Sequence, residues 1–450
     1  MSKQVLYLAD NLKLMKDYLD QGKKEIVDLI YIDPPFNSKR NYNIVFNTES
    51  NATEQAFTDI WSNVSYLDEL EEINTINPNL YSFLKNLEST GLQKSMLSYL
   101  TAMGIRLYYM RLLLKDTGSI YYHCDPTASH YIKIVMDYVF GHKNFRNEIV
   151  WCYNGGGVPK NAFAKKHDVI MSYSKTNNNT FHKQYRPYKE GTKSSSTYNA
   201  NNKLDLERGS TMPDWWPDIN TVTGFAPEKL GYPTQKPEAL LERIIKASSN
   251  PGDLVMDLYN GGGTTGAVCK RLDRNYLGCD INYRAIQITK NRLEDLGSVL
   301  KKDLVIYGIP ATAKELKQMV KDNILGTNKN SRFDLEEVTT RYYLDNVIGN
   351  DVKVGDNSID GTFGFEYNGQ KLKGLIQVTS GSNKNHLKSF CSEIGKGTGD
   401  LGVYICFEED VTSGFIREVK GYGKLGNVDK IQILTFEQLI DQGKQYDLPV

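Results

Sequence analysis

Two short stretches of the chain combine residue types that can do chemistry. The first is Asp33-Pro34-Pro35-Phe36, which directly follows the apolar run EIVDLIYI at 25–32. The Asp33 carboxylate and the Pro34 carbonyl are two acceptors in a fixed relation, because proline locks φ and has no N–H of its own. Two acceptors suit an exocyclic amine on an aromatic ring. The lone pair of such an amine is delocalised and a poor nucleophile. Accepting both of its hydrogens pulls the nitrogen toward tetrahedral geometry and frees the pair. The Phe36 ring offers a face on which a base extruded from a duplex can stack. A methyl donor would then have to sit about 3 Å from the nitrogen, in line with its leaving group.

The second stretch is Tyr259-Asn260-Gly261-Gly262-Gly263, followed by Thr264-Thr265. Three glycines let a backbone approach a ligand closely. The N–H groups at the start of the next helix suit an anionic carboxylate. Asp280, after the following strand, is placed to accept hydrogen bonds from ribose hydroxyls. Alone, this pattern fits NAD, FAD and S-adenosylmethionine equally. Gly155-Gly156-Gly157 has no helix after it and reads as a flexible turn.

The elements around these stretches must bring them together. Strand and helix signals alternate at 5–8, 11–19, 25–32, 95–115, 119–124, 127–140 and 147–153. They resume at 237–248, 253–258, 264–272, 276–279 and 283–296. Such alternation predicts an α/β fold with a doubly wound, mostly parallel, Rossmann-like sheet. Ligands bind outside the carboxyl ends of the strands in such a sheet. Both loops therefore belong on one rim. Segments 40–92 and 154–232 interrupt the pattern, the second as a small recognition region with some strands of its own. The expected division is 1–298 for the chemistry and 299–450 for a smaller α/β domain.

The bulk composition suits a multidomain globular protein. The chain has 450 residues, 40% hydrophobic and 24% charged, and no run approaches the roughly 20 apolar residues of a membrane span. Its start carries no signal-peptide core, so a cytoplasmic location is expected. Six dispersed cysteines with no CxxC pair argue against a metal site or a disulfide framework. Net charge is zero, but residues 154–210 hold ten Lys/Arg against four Asp/Glu. That segment either faces a phosphate backbone or is a solvated loop. Acidic residues cluster at Asp68, Glu69, Glu71 and Glu72.

Taken together, these residues resemble the β-class DNA amino-methyltransferases, including the modification subunits of type III restriction systems. The target-amine motif corresponds to Asp33, Pro34, Pro35 and Phe36. The cofactor loop corresponds to Tyr259, Gly261 and Gly263, with Asp257 upstream and Tyr in place of the usual Phe. Thr264, Thr265 and Asp280 complete it. Lys236, in Thr234-Gln235-Lys236-Pro237, resembles a lysine that meets the cofactor carboxylate. Asp10 resembles the acid at the cofactor adenine. The resemblance implies S-adenosylmethionine as cofactor and double-stranded DNA as partner. It also implies methylation of adenine N6 after base flipping, since members with Ser in place of Asp mostly modify cytosine N4. A restriction-modification setting, a homodimer and a cognate restriction subunit are the associated expectations.

Three further features stay open at this stage. His123 and Asp125, in SIYYHCD at 119–125, either line the pocket or end a packed strand. Trp215-Trp216 either contacts DNA or anchors a subdomain. Residues 350–380, with Asp356, Asp360 and Gln377-Val378-Thr379, resemble a degenerate restriction-endonuclease core. Thr379 stands there where a water-polarising lysine is expected, so cleavage is not expected. An unrelated α/β domain is the alternative. Two other readings of the whole compete: a combined enzyme that also cuts DNA, and a non-catalytic binder on an inherited scaffold.

Overall fold

Long apolar runs become buried parallel strands here because helices cover both faces of the sheet. In the computed structural model, the described residues are 3–35, 41–47, 52–58, 66–154, 159–188, 209–223, 226–230, 232, 234–300, 302–322, 335–336, 338–344, 347–349, 359–381 and 384–450. Phe36, Gly155-Gly156-Gly157 and Asp356 lie outside them. The chain divides into two compact units, 1–44 with 55–308, and 309–450 with 45–54.

The first unit is built on nine strands: β1 (Gln4–Leu8), β2 (Val27–Ile32), β3 (Leu114–Cys124), β4 (Phe145–Cys152), β5 (His167–Ser174), β6 (Trp215–Trp216), β7 (Leu254–Asp257), β8 (Asn275–Asp280) and β9 (Leu304–Tyr307). Their order across the sheet is β6-β4-β5-β3-β2-β7-β8-β1-β9. Only β5 runs against the rest, pairing antiparallel with both β3 and β4. Two expectations change. His167–Ser174 lies inside the segment read as an interruption, yet it is a mostly buried strand of the main sheet. Strand β9 pairs with β1 from Gln4↔Leu304 onward, so the first unit runs to residue 308, past the expected boundary at 298.

Helices α1 (Asn11–Asp20), α2 (Leu67–Ile76), α3 (Pro78–Ser89), α4 (Lys94–Leu113) and α5 (Ser129–Phe140) share one core with β2, β3 and β5. Most of α4 is buried, from Ser95 to Leu113. A helix apolar on all sides needs cover on all sides. Leu70, Ile73, Leu80 and Leu84 of α2 and α3 supply part of it. The segment read as a variable insertion at 40–92 is thus partly core. Its acidic cluster is also used internally, with Glu69 paired to Arg106 and Glu72 to Lys16. A second layer, α6 (Glu238–Ser248), α7 (Thr264–Arg271) and α8 (Tyr283–Asp295), packs in sequence and reaches β2, β8 and β1.

The second unit has its own sheet. Gly361–Tyr367 and Gln370–Val378 form an antiparallel hairpin, and Leu401–Cys406 and Ile431–Thr435 continue it in parallel. Its core gathers Leu375, Phe390, Tyr404, Phe415 and Ile431. Among the described residues, no helix is long and apolar enough to cross a membrane.

Candidate active site

Strand order places the sequence motifs. β2 and β7 are neighbours, with Leu29 opposite Val255 and Ile30 opposite Met256. Asp33 leaves the carboxyl end of β2, and Tyr259-Asn260-Gly261 leaves that of β7. Asp280 ends β8, the next strand over, and Asp10 follows β1 beside it. Neighbouring strands lie roughly 4.8 Å apart. The expected rim therefore forms, in the order Asp33, glycine loop, Asp280, Asp10.

Asp33 is ion-paired with Lys236, and both side chains are largely buried. Pro34 is buried beside it. Lys236 sits in a fixed segment. Thr234, two residues earlier, holds φ at +59°, a region that β-branched residues avoid. The Gln235 side chain accepts from the Leu230 amide at 2.9 Å and donates to the Glu228 carbonyl at 2.6 Å. The Lys236 carbonyl accepts from Thr264 Oγ1 at 3.1 Å. Asp33, Lys236 and the first residue of α7 are thus one connected unit.

The glycine loop is locked from below. Gly261 has φ +49° and donates its N–H to Asp280 Oδ2 at 2.8 Å. Gly263 has φ +70°, and a Cβ there would fall 2.4 Å from Thr289 Oγ1. Asn260 is held by Thr289 and by the Tyr276 hydroxyl, each at 2.7 Å. Arg292, buried and paired with Glu238, donates to the Gly262 carbonyl at 3.0 Å.

The other predicted residues divide by orientation. Asp257 is turned inward: it accepts from Thr265 Oγ1 at 2.6 Å and from the Tyr259 amide at 3.1 Å. Burial pushes its carboxyl up to about 7. It braces the loop from within. Asp280 accepts from the Gly261 and Asn282 amides, and burial raises it to about 6. The Ile281 amide bonds to it as well, and of the roughly four acceptor positions of a carboxylate one is left for a ligand. Asp10 caps α1 through the Lys13 amide and stays nearly half exposed, with Arg106 3.5 Å away. Tyr259 is partly buried, its hydroxyl 3.5 Å from Met103 Sδ.

One residue at the site carries no motif that would single it out. Tyr232 packs on Gly261 and Gly262, within 3.2 Å of where their Cβ atoms would be. Its hydroxyl is pushed up by burial and then by the charges of Asp280 and Asp33. His123 is wholly buried, bonded to Tyr31 and Asp168, whereas Asp125 accepts from the Thr127 amide in the turn before α5. The tryptophan pair splits. Trp216 is buried and donates to the Pro213 carbonyl. Trp215 is 44% exposed, with the Arg186 guanidinium 4.9 Å from its ring centre.

In the second unit, Asp360 and Gln377 are adjacent. The Gln377 amide and the Val378 N–H both donate to Asp360 Oδ2. Among the described residues no cluster of His, Cys, Asp or Glu has the makings of a metal site.

Part of the chain is similar to known proteins. Residues 27–291 match a family model described as DNA methylase. The chain is 31% identical over 253 residues to the type II methyltransferase M.HpaI of Haemophilus parainfluenzae, covering 51% of this chain and 73% of that one. It is 30% identical over 285 residues to the type II methyltransferase M1.MboII of Moraxella bovis, covering 59% and 88%. It is 28% identical over 290 residues to the DNA adenine methyltransferase YhdJ of Escherichia coli K12, covering 62% and 81%. Among solved structures, the M1.HpyAVI–SAM complex aligns with 64% of this chain and 98% of its own, at 21% identity and a TM-score of 0.37.

Proposed function

The chain belongs to the DNA methylase family, and from that premise we propose that it transfers a methyl group from S-adenosylmethionine to N6 of an adenine flipped out of double-stranded DNA. The observation that carries this reading is the adjacency of β2 and β7, which sets Asp33 beside the glycine loop. The donor set fits the cofactor. Gly261 to Gly263 open onto the start of α7, Asp280 keeps acceptor capacity, and the half-exposed Asp10 lies on the same rim. Asp10, Lys236, Tyr259, Gly261, Gly263, Thr264, Thr265 and Asp280 would hold the cofactor, with Asp257 bracing the loop. When bound, S-adenosylmethionine supplies an electrophilic sulfonium methyl.

The remaining work falls to the chain. Asp33 and the Pro34 carbonyl accept the two amine hydrogens, Pro35 stiffens the turn, and Phe36 stacks on the base. Positive charge would develop on the amine nitrogen, where the Asp33 carboxylate and the Pro34 carbonyl stabilise it, and Asp33 is placed to take the proton that the nitrogen then loses. Asp33 is only 16% exposed, too recessed to meet a base still stacked in a duplex, which supports extrusion. Adenine is favoured by the acid at position 33 and by the likeness to a DNA adenine methyltransferase.

The finer parts of the reading are a β-class, type III-like arrangement, site specificity within a restriction-modification system, a cognate restriction subunit and a homodimer. The type II names of two relatives support the restriction setting. The second unit is assigned a nuclease-like fold without cleavage, used for DNA contact or pairing. A hairpin followed by two parallel strands, Asp360 beside Gln377, and Thr379 in place of lysine support this.

The test is to incubate the protein with unmethylated DNA and S-adenosylmethionine, digest to nucleosides and identify the product by mass. N6-methyladenine is expected. N4-methylcytosine would overturn the choice of base, and no modified nucleoside would overturn the activity.

A further inference from the structure

The three successive carbonyls of the glycine loop are all engaged within the fold. The Gly261 carbonyl accepts from Asn260 Nδ2 at 3.0 Å, with Thr289 Oγ1 at 3.4 Å. The Gly263 carbonyl accepts from the Ala267 amide at 3.0 Å, in the first turn of α7. The Gly262 carbonyl accepts from Arg292 Nη1 at 3.0 Å. Among these donors only Arg292 is charged.

The peptide between Gly262 and Gly263 has no side chain on either side to hinder its rotation. Its orientation is set by its two bonds, the carbonyl to Arg292 and the Gly263 N–H to the Asn260 carbonyl at 3.0 Å. Arg292 is itself held. Its side chain is 7% exposed, and Nη2 donates to Glu238 Oε1 at 2.5 Å. Glu238, at the start of α6, also pairs with Arg271 of α7. Arg292 Nη1 reaches Thr264 Oγ1 as well, at 3.2 Å. One planar fork thus spans a carboxylate on one side and the loop on the other. The point charge of a lysine does not reproduce that geometry.

Turned outward, the Gly262 carbonyl would put partial negative charge beside the start of α7, where N–H groups suit an anion. Resting on the reading of this loop as the cofactor site, we infer that Arg292 is a positioning residue for S-adenosylmethionine, holding the Gly262 carbonyl inward so that the loop accepts the carboxylate end of the cofactor. It acts through the backbone of Gly262 and the hydroxyl of Thr264.

The test is calorimetry on the full chain with S-adenosylmethionine and with its decarboxylated form, which lacks only the carboxylate. Arg292→Lys keeps a charge beside Glu238 and gives up the fork. It should bind S-adenosylmethionine roughly tenfold more weakly, the scale of one charge-assisted hydrogen bond. It should bind the decarboxylated form as tightly as the wild type does. Arg292→Gln should behave alike. Single-turnover methyl transfer to unmethylated DNA at saturating S-adenosylmethionine should stay within about threefold of wild type, as for a change confined to cofactor binding. Equal losses for the two ligands would make Arg292 a general packing residue and overturn the inference. So would wild-type affinity of Arg292→Lys for S-adenosylmethionine, or a wild-type protein that binds the two ligands equally. Should Arg292→Gln fail to fold, Arg292→Lys decides alone. A wild-type protein that binds neither ligand would instead count against the proposed function.

Discussion

Lys236 donates to the carboxylate of Asp33 across 203 positions of sequence. That contact joins two motifs that read as separate features of the chain. It also ties Asp33 to the glycine loop, because the Lys236 carbonyl is bonded to Thr264 at the start of α7.

Substitutions in the glycine loop should act on the cofactor alone. Gly263→Ala puts a Cβ 2.4 Å from Thr289 Oγ1 at φ +70°, and Gly261→Leu crowds Tyr232 at φ +49°. Such strain costs on the order of 1–3 kcal/mol per site. Calorimetry should show affinity for S-adenosylmethionine reduced roughly tenfold or more, since 1.4 kcal/mol is a factor of ten. DNA binding without cofactor should be unchanged. Wild-type cofactor affinity in both variants would separate the loop from the cofactor.

Stability of the cofactor-free protein should carry a signature of Asp257. Its carboxyl sits at about 7 in the fold against an ordinary 3.8, and that of Asp280 at about 6. Raised values mean that the fold keeps protons the unfolded chain has already lost. These two groups therefore favour the fold fully below about pH 4, and their contribution falls as pH rises to about 7. Asp257→Asn should flatten the decline of the thermal midpoint across that window. An unchanged slope would show that the buried carboxyl titrates normally.

The second unit should be silent in DNA cleavage. Asp360 already accepts from Gln377 and Val378, and Thr379 carries no charge. With Mg²⁺ and unmethylated DNA, no cutting is expected from the wild type, and Asp360→Ala should leave methyl transfer within about twofold, as for sites that do not couple. Reproducible cleavage abolished by Asp360→Ala would make the chain a combined restriction and modification enzyme.

Much of the first unit was legible because its signals are local. Apolar strands at 25–32 and 253–258 end in motifs, and the rule that ligands lie beyond strand ends then predicts their meeting. The parts that escaped depend on long-range pairing. His167–Ser174 sits in a polar stretch, and only its pairing between β3 and β4 reveals it as a sheet strand. Helices α2 and α3 look like an insertion until the all-round burial of α4 shows what they cover. Tyr232 has no signature of its own, since an isolated tyrosine acquires a role only from what surrounds it. His123 was visible as a candidate, but whether it faced the pocket or the sheet could not be told without its partners, Tyr31 and Asp168.

Methyl transfer should depend most directly on Asp33. Single-turnover methyl transfer to DNA, with S-adenosylmethionine saturating, should fall on the order of a thousandfold in Asp33→Ala, the scale seen when a stabilising group at the reacting centre is removed. Calorimetry on the same variant should show cofactor binding intact. Turnover near the wild-type rate would mean that the amine is gripped elsewhere and that the rim formed by β2 and β7 is not the active site.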